Sequence, residues 1–258
     1  MQNIYFHKYQ GTGNDFIVID NRSQTIRLNE QQIAFLCHRR FGIGADGLIL
    51  IQSKPHYDFE MVYFNANGQE GSMCGNGGRC AVKFAQSLGI FEKRTTFWAI
   101  DGEHEAFIQQ DSIHLLMQNV TEIERNSIFY FLNTGSPHYV QWVTNLQQFD
   151  VLTHGKSIRY NERFGEKGTN VNFIEQVGEN QLFVRTYERG VENETYSCGT
   201  GVTAAALIAH IERNMQSPIQ VQTLGGELAV SFEKHGNSFT QIYLIGKAEK
   251  VFEGQIVL

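Results

Sequence analysis

Two cysteines share one kind of surrounding. Cys74 opens Cys74-Gly75-Asn76-Gly77-Gly78-Arg79-Cys80, and Cys198 opens Cys198-Gly199-Thr200-Gly201. A thiol ionises at about pH 8.5, close enough to neutrality to take up or give up a proton in turnover. Two such groups on opposite faces of one carbon can invert it. A thiolate removes the proton from one face, and a thiol delivers a proton to the other. The carbanion between these steps needs its carboxylate stabilised, and the backbone N–H groups at Gly75, Asn76, Gly199 and Thr200 are suited to that. This chemistry uses no cofactor.

The elements that would hold these thiols follow from periodicity. Cys80, Ala81, Phe84, Ala85 and Leu88 share a helical face, and Gly89 is placed to end that helix. Cys74 therefore falls at a helix N-terminus, where the dipole favours an anion and eases loss of the thiol proton. The run from Val202 to Ile211 is apolar nearly all round, which predicts a helix enclosed by other elements. Strands are expected at Ile4–Gln10, Phe16–Asp20, Leu48–Gln52, Asp58–Asn65 and Val171–Gln176, with a hairpin around Asp101-Gly102. Asn29 should cap a helix over Glu30–Arg40, with Ile33, Leu36 and Cys37 facing inward.

The landmarks recur. Gly44 lies 30 residues before Cys74, and Gly168 lies 30 before Cys198. Gly102-Glu103 follows Cys74 by 28 residues, as Gly226-Glu227 follows Cys198. Gly13 and Gly135 precede their cysteines by 61 and 63 residues. The pattern predicts an α+β protein of two pseudo-symmetric domains, each a mixed β-sheet shell or barrel around a central helix, with the active site in the cleft between them. The expected boundaries are 1–122 for the half carrying Cys74 and 123–245 for the half carrying Cys198. A tail, 246–258, should cross back to the first half.

The chain has 258 residues, 41% of them hydrophobic, and carries a net charge of -6, which argues against nucleic acid as a partner. No apolar run is long enough to span a membrane and no signal peptide is recognisable, so a cytoplasmic location is expected. The four cysteines should then be reduced. None has Cys-x-x-Cys or Cys/His spacing, so no metal is expected. Gly11-Thr12-Gly13 does not open a helix, which excludes a dinucleotide fingerprint there. Cys37 and Cys80, on inner helix faces, read as core.

Polar residues near the two motifs complete the candidate set. Asn65 lies nine residues before Cys74, and Glu188 and Arg189 lie ten and nine before Cys198. An arginine can grip a carboxylate with two hydrogen bonds, and a glutamate can hold an ammonium. Asn14 and Asn170 sit in glycine-rich turns, where asparagine also serves the backbone. His138, after Pro137, could tune a thiol.

With these residues laid out, the chain closely resembles the diaminopimelate epimerases. The resemblance runs through Gly13-Asn14-Asp15-Phe16, Gly42-Ile43-Gly44-Ala45-Asp46-Gly47, Phe64-Asn65-Ala66-Asn67-Gly68 and the Cys74 motif. It continues through Thr169-Asn170-Val171, Tyr187-Glu188-Arg189-Gly190 and the Cys198 motif. It implies cofactor-independent interconversion of LL- and meso-diaminopimelate, in lysine and peptidoglycan precursor synthesis, by a homodimer whose two domains close over the substrate. By analogy Cys74 deprotonates the LL isomer and Cys198 protonates the opposite face. The resemblance casts Asn14, Asn65, Asn170, Glu188 and Arg189 as substrate-binding residues, and Glu188 and His138 as groups that adjust the thiols. Ser136 departs from the family's usual asparagine and offers a hydroxyl in place of an amide at a substrate-contact position. Lys247, in Gly246-Lys247-Ala248, stands where the family usually has proline.

Other readings make different demands. Proline racemases and hydroxyproline epimerases also use two cysteines but carry histidine two residues after the first, where this chain has Asn76. A binding protein that has lost turnover would not need both thiols. A thiol–disulfide oxidoreductase would place its cysteines close in sequence, and these are 124 residues apart.

Overall fold

The computed structural model describes residues 3–258. The chain divides into two compact units, one comprising Met1–Leu115 with Gly246–Leu258 and the other Leu116–Ile245. In chain order the first runs β1 (Asn3–Gly11), β2 (Asn14–Asp20), α1 (Glu30–Cys37), β3 (Gly47–Gln52), β4 (Phe59–Asn65), α2 (Gly75–Ser87), β5 (Arg94–Ala99), β6 (Gly102–Gln109) and β7 (Ser112–Leu116). The second runs β8 (Ile123–Arg125), β9 (Tyr130–Asn133), β10 (Pro137–Trp142), α3 (Val151–Arg159), β11 (Asn170–Gly178), β12 (Gln181–Glu188), β13 (Asn193–Thr195), α4 (Gly199–Arg213), β14 (Ile219–Thr223), β15 (Gly226–His235) and β16 (Ser238–Gly246). The last strand, β17 (Glu249–Val257), belongs to the first unit and pairs antiparallel with β1.

The internal repeat is visible in the strand pairings. In the first unit the ladder β17-β1-β2-β3-β4-β5-β6-β7 runs antiparallel, antiparallel, parallel, antiparallel, parallel, antiparallel, antiparallel. In the second, β8-β9-β10-β11-β12-β14-β15-β16 gives the same succession. The short β13, paired on β12, is matched among the described residues of the first unit by an isolated antiparallel bridge on β4, Phe64 opposite Glu70.

Helices cover these sheets. Phe16–Ile19 and Leu48–Ile51 are buried at every position, because α1 packs on one face and α2 on the other. That explains continuous apolar runs in place of an alternating pattern. Ile17, Ile19, Leu48 and Leu50 join Ile33, Leu36 and Cys37 of α1 in one core cluster. In the second unit Tyr139, Val171, Phe173, Phe183 and Tyr187 form the matching cluster with Val151 of α3. α4 packs against β9, β10, β11, β12, β14 and β15, and its residues Val202–Ala209 are all buried.

One expectation from sequence changes, and one helix is added. Asn29 caps α1 with a full capping box, but the helix ends at Cys37 rather than Arg40. His38 turns extended, and its ring Nδ1 accepts from the N–H groups of Arg40 and Phe41, so Arg39 and Arg40 lie in the following loop. The helix α3 has no counterpart in the sequence reading; Asp150 caps it by accepting from Thr153 N–H. Among the described residues no helix is long and apolar enough to cross a membrane.

Candidate active site

Both candidate thiols stand at helix N-caps, and each is surrounded differently. In the first unit Cys74 has extended backbone angles, φ -107 and ψ 142, and its Sγ accepts from Gly77 N–H at 3.2 Å. Gly75 and Asn76 are the first helical positions, whose N–H groups no intrahelical carbonyl serves. Cys74 Sγ also lies 3.8 Å from Asn14 Oδ1. Asn14 is oriented by Asp46, whose Oδ2 accepts from its Nδ2 at 2.6 Å.

Behind Asn14 lies a charged network. Arg39 donates to both carboxylate oxygens of Asp15, at 3.0 and 2.7 Å, and to Asp46 at 2.7 Å. The buried Lys8 ammonium bridges Asp15 at 2.7 Å and donates to Gly44 O. Burial works to raise the Asp15 carboxyl, but the bonds from Arg39 and Lys8 outweigh it and bring it to about 2. The motifs containing Gly13-Asn14-Asp15 and Gly44-Ala45-Asp46 are thus one ion-paired brace that fixes an amide beside a thiol.

Arg79, one turn into α2, is fully buried. Its guanidinium donates to Gly75 O at 3.1 Å, Asn76 Oδ1 at 3.2 Å, Thr12 Oγ1 at 2.6 Å and Lys247 O at 3.4 Å. It therefore holds both the carbonyl and the side chain of the first two residues after the thiol.

In the second unit Cys198 is buried at the N-cap position of α4, where its side chain makes no capping bond to the helix backbone, and Thr200 Oγ1 lies 3.5 Å from its Sγ. His138 Nε2 is 2.8 Å from the same hydroxyl. Its other ring nitrogen, Nδ1, is 3.0 Å from Asn172 Nδ2, which also donates to Tyr139 O at 2.9 Å. A carbonyl can only accept, so the Asn172 amide nitrogen faces it and its second hydrogen goes to His138 Nδ1. The ring proton is then on Nε2 and is donated to Thr200, and the Thr200 hydroxyl hydrogen is left for Cys198 Sγ. Burial, with the charge of Arg189 adding to it, brings His138 down to about 3, so the ring is neutral near pH 7. Gly201 admits this arrangement, since a Cβ there would lie 2.3 Å from Asn172 Oδ1.

A third group gathers Ser136, Asn170 and Arg189. Ser136 Oγ accepts from Asn170 Nδ2 at 2.8 Å and from Arg189 Nη2 at 3.3 Å, and Asn170 Oδ1 accepts from Arg189 N–H at 2.9 Å. The serine in place of asparagine thus sits between an amide and a guanidinium. Glu188 accepts from Thr195 Oγ1 at 2.8 Å. Asn65 lies exposed at the end of β4, where Oδ1 accepts from Tyr63 Oη at 3.1 Å and Nδ2 donates to Gln69 O at 3.4 Å.

Sequence reasoning passed over Arg79, Asn172 and the Asp15–Arg39–Asp46 brace. Asn172 had a signal, since strand alternation puts it on the same face as Asn170. Cys37 and Cys80 are buried thiols; burial raises Cys37 to about 12 and Cys80 further, so both stay protonated. Among the described residues, no group of three or more His, Cys, Asp or Glu side chains is placed to hold a metal ion.

Known proteins resemble this chain in sequence or in fold. The diaminopimelate epimerase family profile matches residues 6–122 and again 130–251. A diaminopimelate epimerase of Flavobacterium psychrophilum is 52% identical over 253 residues, covering 97% of this chain and 99% of that protein. One of Chlorobaculum tepidum is 44% identical over 259 residues, covering 96% and 99%. Among solved structures, a phenazine biosynthesis protein of the PhzF family from Bacillus anthracis superposes with a TM-score of 0.77 at 16% identity, over all of both chains. A hydroxyproline epimerase from Agrobacterium vitis gives 0.73 at 15%, over 99% and 93%. These two share the fold.

Proposed function

We propose that this chain, which belongs to the diaminopimelate epimerase family, interconverts LL- and meso-diaminopimelate without a cofactor, with Cys74 and Cys198 as the two acid/base groups. The observation that carries the reading is the repetition of a thiol N-cap on two helices of a duplicated fold. Two-base inversion asks for such a matched pair of proton carriers.

The steps balance as a proton exchange. The Cys74 thiolate takes the α-proton of the LL isomer, the Cα–H bond breaks, and its electron pair spreads into the carboxylate. The Cys198 thiol gives its proton to the opposite face and becomes thiolate. The back reaction starts from that state. Gly75, Asn76, Gly199 and Thr200 offer N–H groups at two helix N-termini to the carboxylate, which gains charge as the proton leaves. Asn14, Asn65, Asn170, Glu188 and Arg189 hold the remaining amino and carboxylate groups. Ser136 holds Asn170 and Arg189 in place and reaches the substrate through them. His138 and Glu188 adjust the thiols. We place the enzyme in the cytoplasm as a homodimer, on the family resemblance, with domains 1–122 and 123–245 and the tail 246–258 completing the first.

The test is proton exchange. Reduced protein is incubated with LL-diaminopimelate in deuterated water, with no cofactor added. Meso product carrying deuterium at the α-carbon is expected. Neither product nor exchange from folded, reduced protein would sink the assignment, and proline and hydroxyproline would be the next substrates tried.

A further inference from the structure

We propose that Arg79 is a positioning residue for the first thiol: a buried cation that holds Cys74 in its thiolate form and fixes the Gly75-Asn76 anion loop. The inference rests on reading Cys74 as an acid/base group.

A guanidinium loses much solvation on burial and ordinarily recovers it from a carboxylate. Arg79 is fully buried, and among the described residues its hydrogen-bond partners are Gly75 O, Asn76 Oδ1, Thr12 Oγ1 and Lys247 O, all neutral acceptors. Burial pulls it down only to about 10, so it remains charged near pH 7. A protein that keeps an unbalanced charge in its interior has a use for its field.

Charged and titratable groups on each neighbouring element narrow that use. On α2, Arg79 grips Gly75 O and Asn76 Oδ1, the two residues that follow Cys74, so its charge lies under the helix cap, where the thiols of that helix are Cys74 and Cys80. Cys80 is fully buried and its thiol is raised well beyond reach, whereas Cys74 is half-exposed at the helix cap. On β2, Asp15 is held by Lys8 and Arg39. Before β17, Lys247 presents its carbonyl to Arg79 while its ammonium pairs with Asp111 at 3.6 Å. Cys74 is the anion left for Arg79 to serve. The same guanidinium takes Asn76 Oδ1, which fixes the direction in which the Asn76 amide hydrogens point.

The second unit supplies a comparison. Five residues after Cys198 stands Thr203, as Arg79 stands five after Cys74. Thr203 Oγ1 donates to Gly199 O at 3.0 Å, just as Arg79 donates to Gly75 O. Both positions brace the carbonyl of the first helical residue. The arginine alone adds a charge.

Peptide-resolved alkylation against pH, which needs no substrate, tests this separately from the assigned reaction. Arg79→Gln should raise the Cys74 midpoint by about one pH unit, slowing its alkylation about tenfold below the midpoint, and leave Cys198 unmoved. Arg79→Lys should restore most of the Cys74 rate. A folded Arg79→Gln protein with an unchanged Cys74 midpoint, or with equal shifts at both cysteines, would overturn the proposal. If Arg79→Gln does not fold, Arg79→Lys decides, and a Cys74 midpoint moved upward there counts against it. The unaltered enzyme gives a further check: a Cys74 midpoint at or above the ordinary value of about 8.5 also overturns it.

Discussion

The two thiol sites share a backbone and differ in what supports it. Around Cys74 the supports are charged: Lys8, Asp15, Arg39 and Asp46 brace Asn14, and Arg79 lies buried beneath the helix cap. Around Cys198 the groups that reach the sulfur are neutral: Asn172, His138 and Thr200 pass a line of hydrogen bonds toward it, with the charge of Arg189 acting on His138 from outside the line. A fixed positive charge favours a thiolate before any substrate arrives. The Thr200 hydroxyl, which already accepts from His138, turns its hydrogen toward Cys198 Sγ and adds no net charge, so it favours a thiolate less strongly than a buried cation does. On the proposed two-base reading one proton must be missing at the outset, and the charged support is what assigns the thiolate to Cys74.

The comparison can be broken in several ways. The largest effect is expected from removing either sulfur. Cys74→Ala and Cys198→Ala should each cost at least about a thousandfold in turnover, read as meso product from LL substrate. If one variant keeps substantial epimerisation, two-base inversion fails. Next comes Thr200→Val, which takes the last donor from the Cys198 line. Turnover should fall about tenfold to a hundredfold, with the alkylation midpoint raised at Cys198 and unmoved at Cys74, and Thr200→Ser should recover it. This is the mirror image of the Arg79→Gln outcome, and the two together separate a neutral support from a charged one.

A smaller effect concerns stability against pH. His138 is held near 3 in the folded chain and titrates at about 6.5 when unfolded. Between those values the unfolded chain binds one more proton, so stability is full above about pH 6.5. It then falls as pH drops, by at most about 1.4 kcal/mol per pH unit, until the folded value is reached. Denaturant melts at pH 7 and pH 5 should show that slope, and His138→Gln should flatten it. An equal slope in the variant would mean that other groups carry the acid sensitivity. The smallest expected effect is Thr203→Val, about 1 kcal/mol from one hydrogen bond, with both alkylation midpoints unchanged. A shift at Cys198 would show that this position influences its thiol without a charge.

How far these sites could be read in advance depended on reach along the chain. The helix caps, the apolar faces of α2 and α4 and the paired glycine landmarks are local or periodic, and they were visible. The end of α1 was misplaced because a ring nitrogen of His38 captures two backbone N–H groups, which a helical pattern in Glu30–Arg40 does not reveal. Arg79 stood inside the Cys74 motif and still escaped notice, since its partners Thr12 and Lys247 lie 67 and 168 residues away. Asn172 reaches His138 across 34 residues through a parallel strand pair. Such bonds exist only once a register is set, and one sequence does not spell out a register. Ser136 shows the same limit: its hydroxyl became interpretable only when Asn170 and Arg189 were seen to meet on it.

The returning strand β17 orders events on the ribosome. It pairs with β1 from Asn3 opposite Val257 to Gln10 opposite Glu249, and Gln10 donates to Glu249 at 2.8 Å across 239 residues of chain. Everything from Leu116 to Ile245 is therefore synthesised before the first unit can close. Until then β1 presents an open edge, a template for mispairing. The unit begun first is the one completed last, and a nascent chain halted before Gly246 would hold a finished Cys198 helix while the unit carrying Cys74 still lacked its last strand.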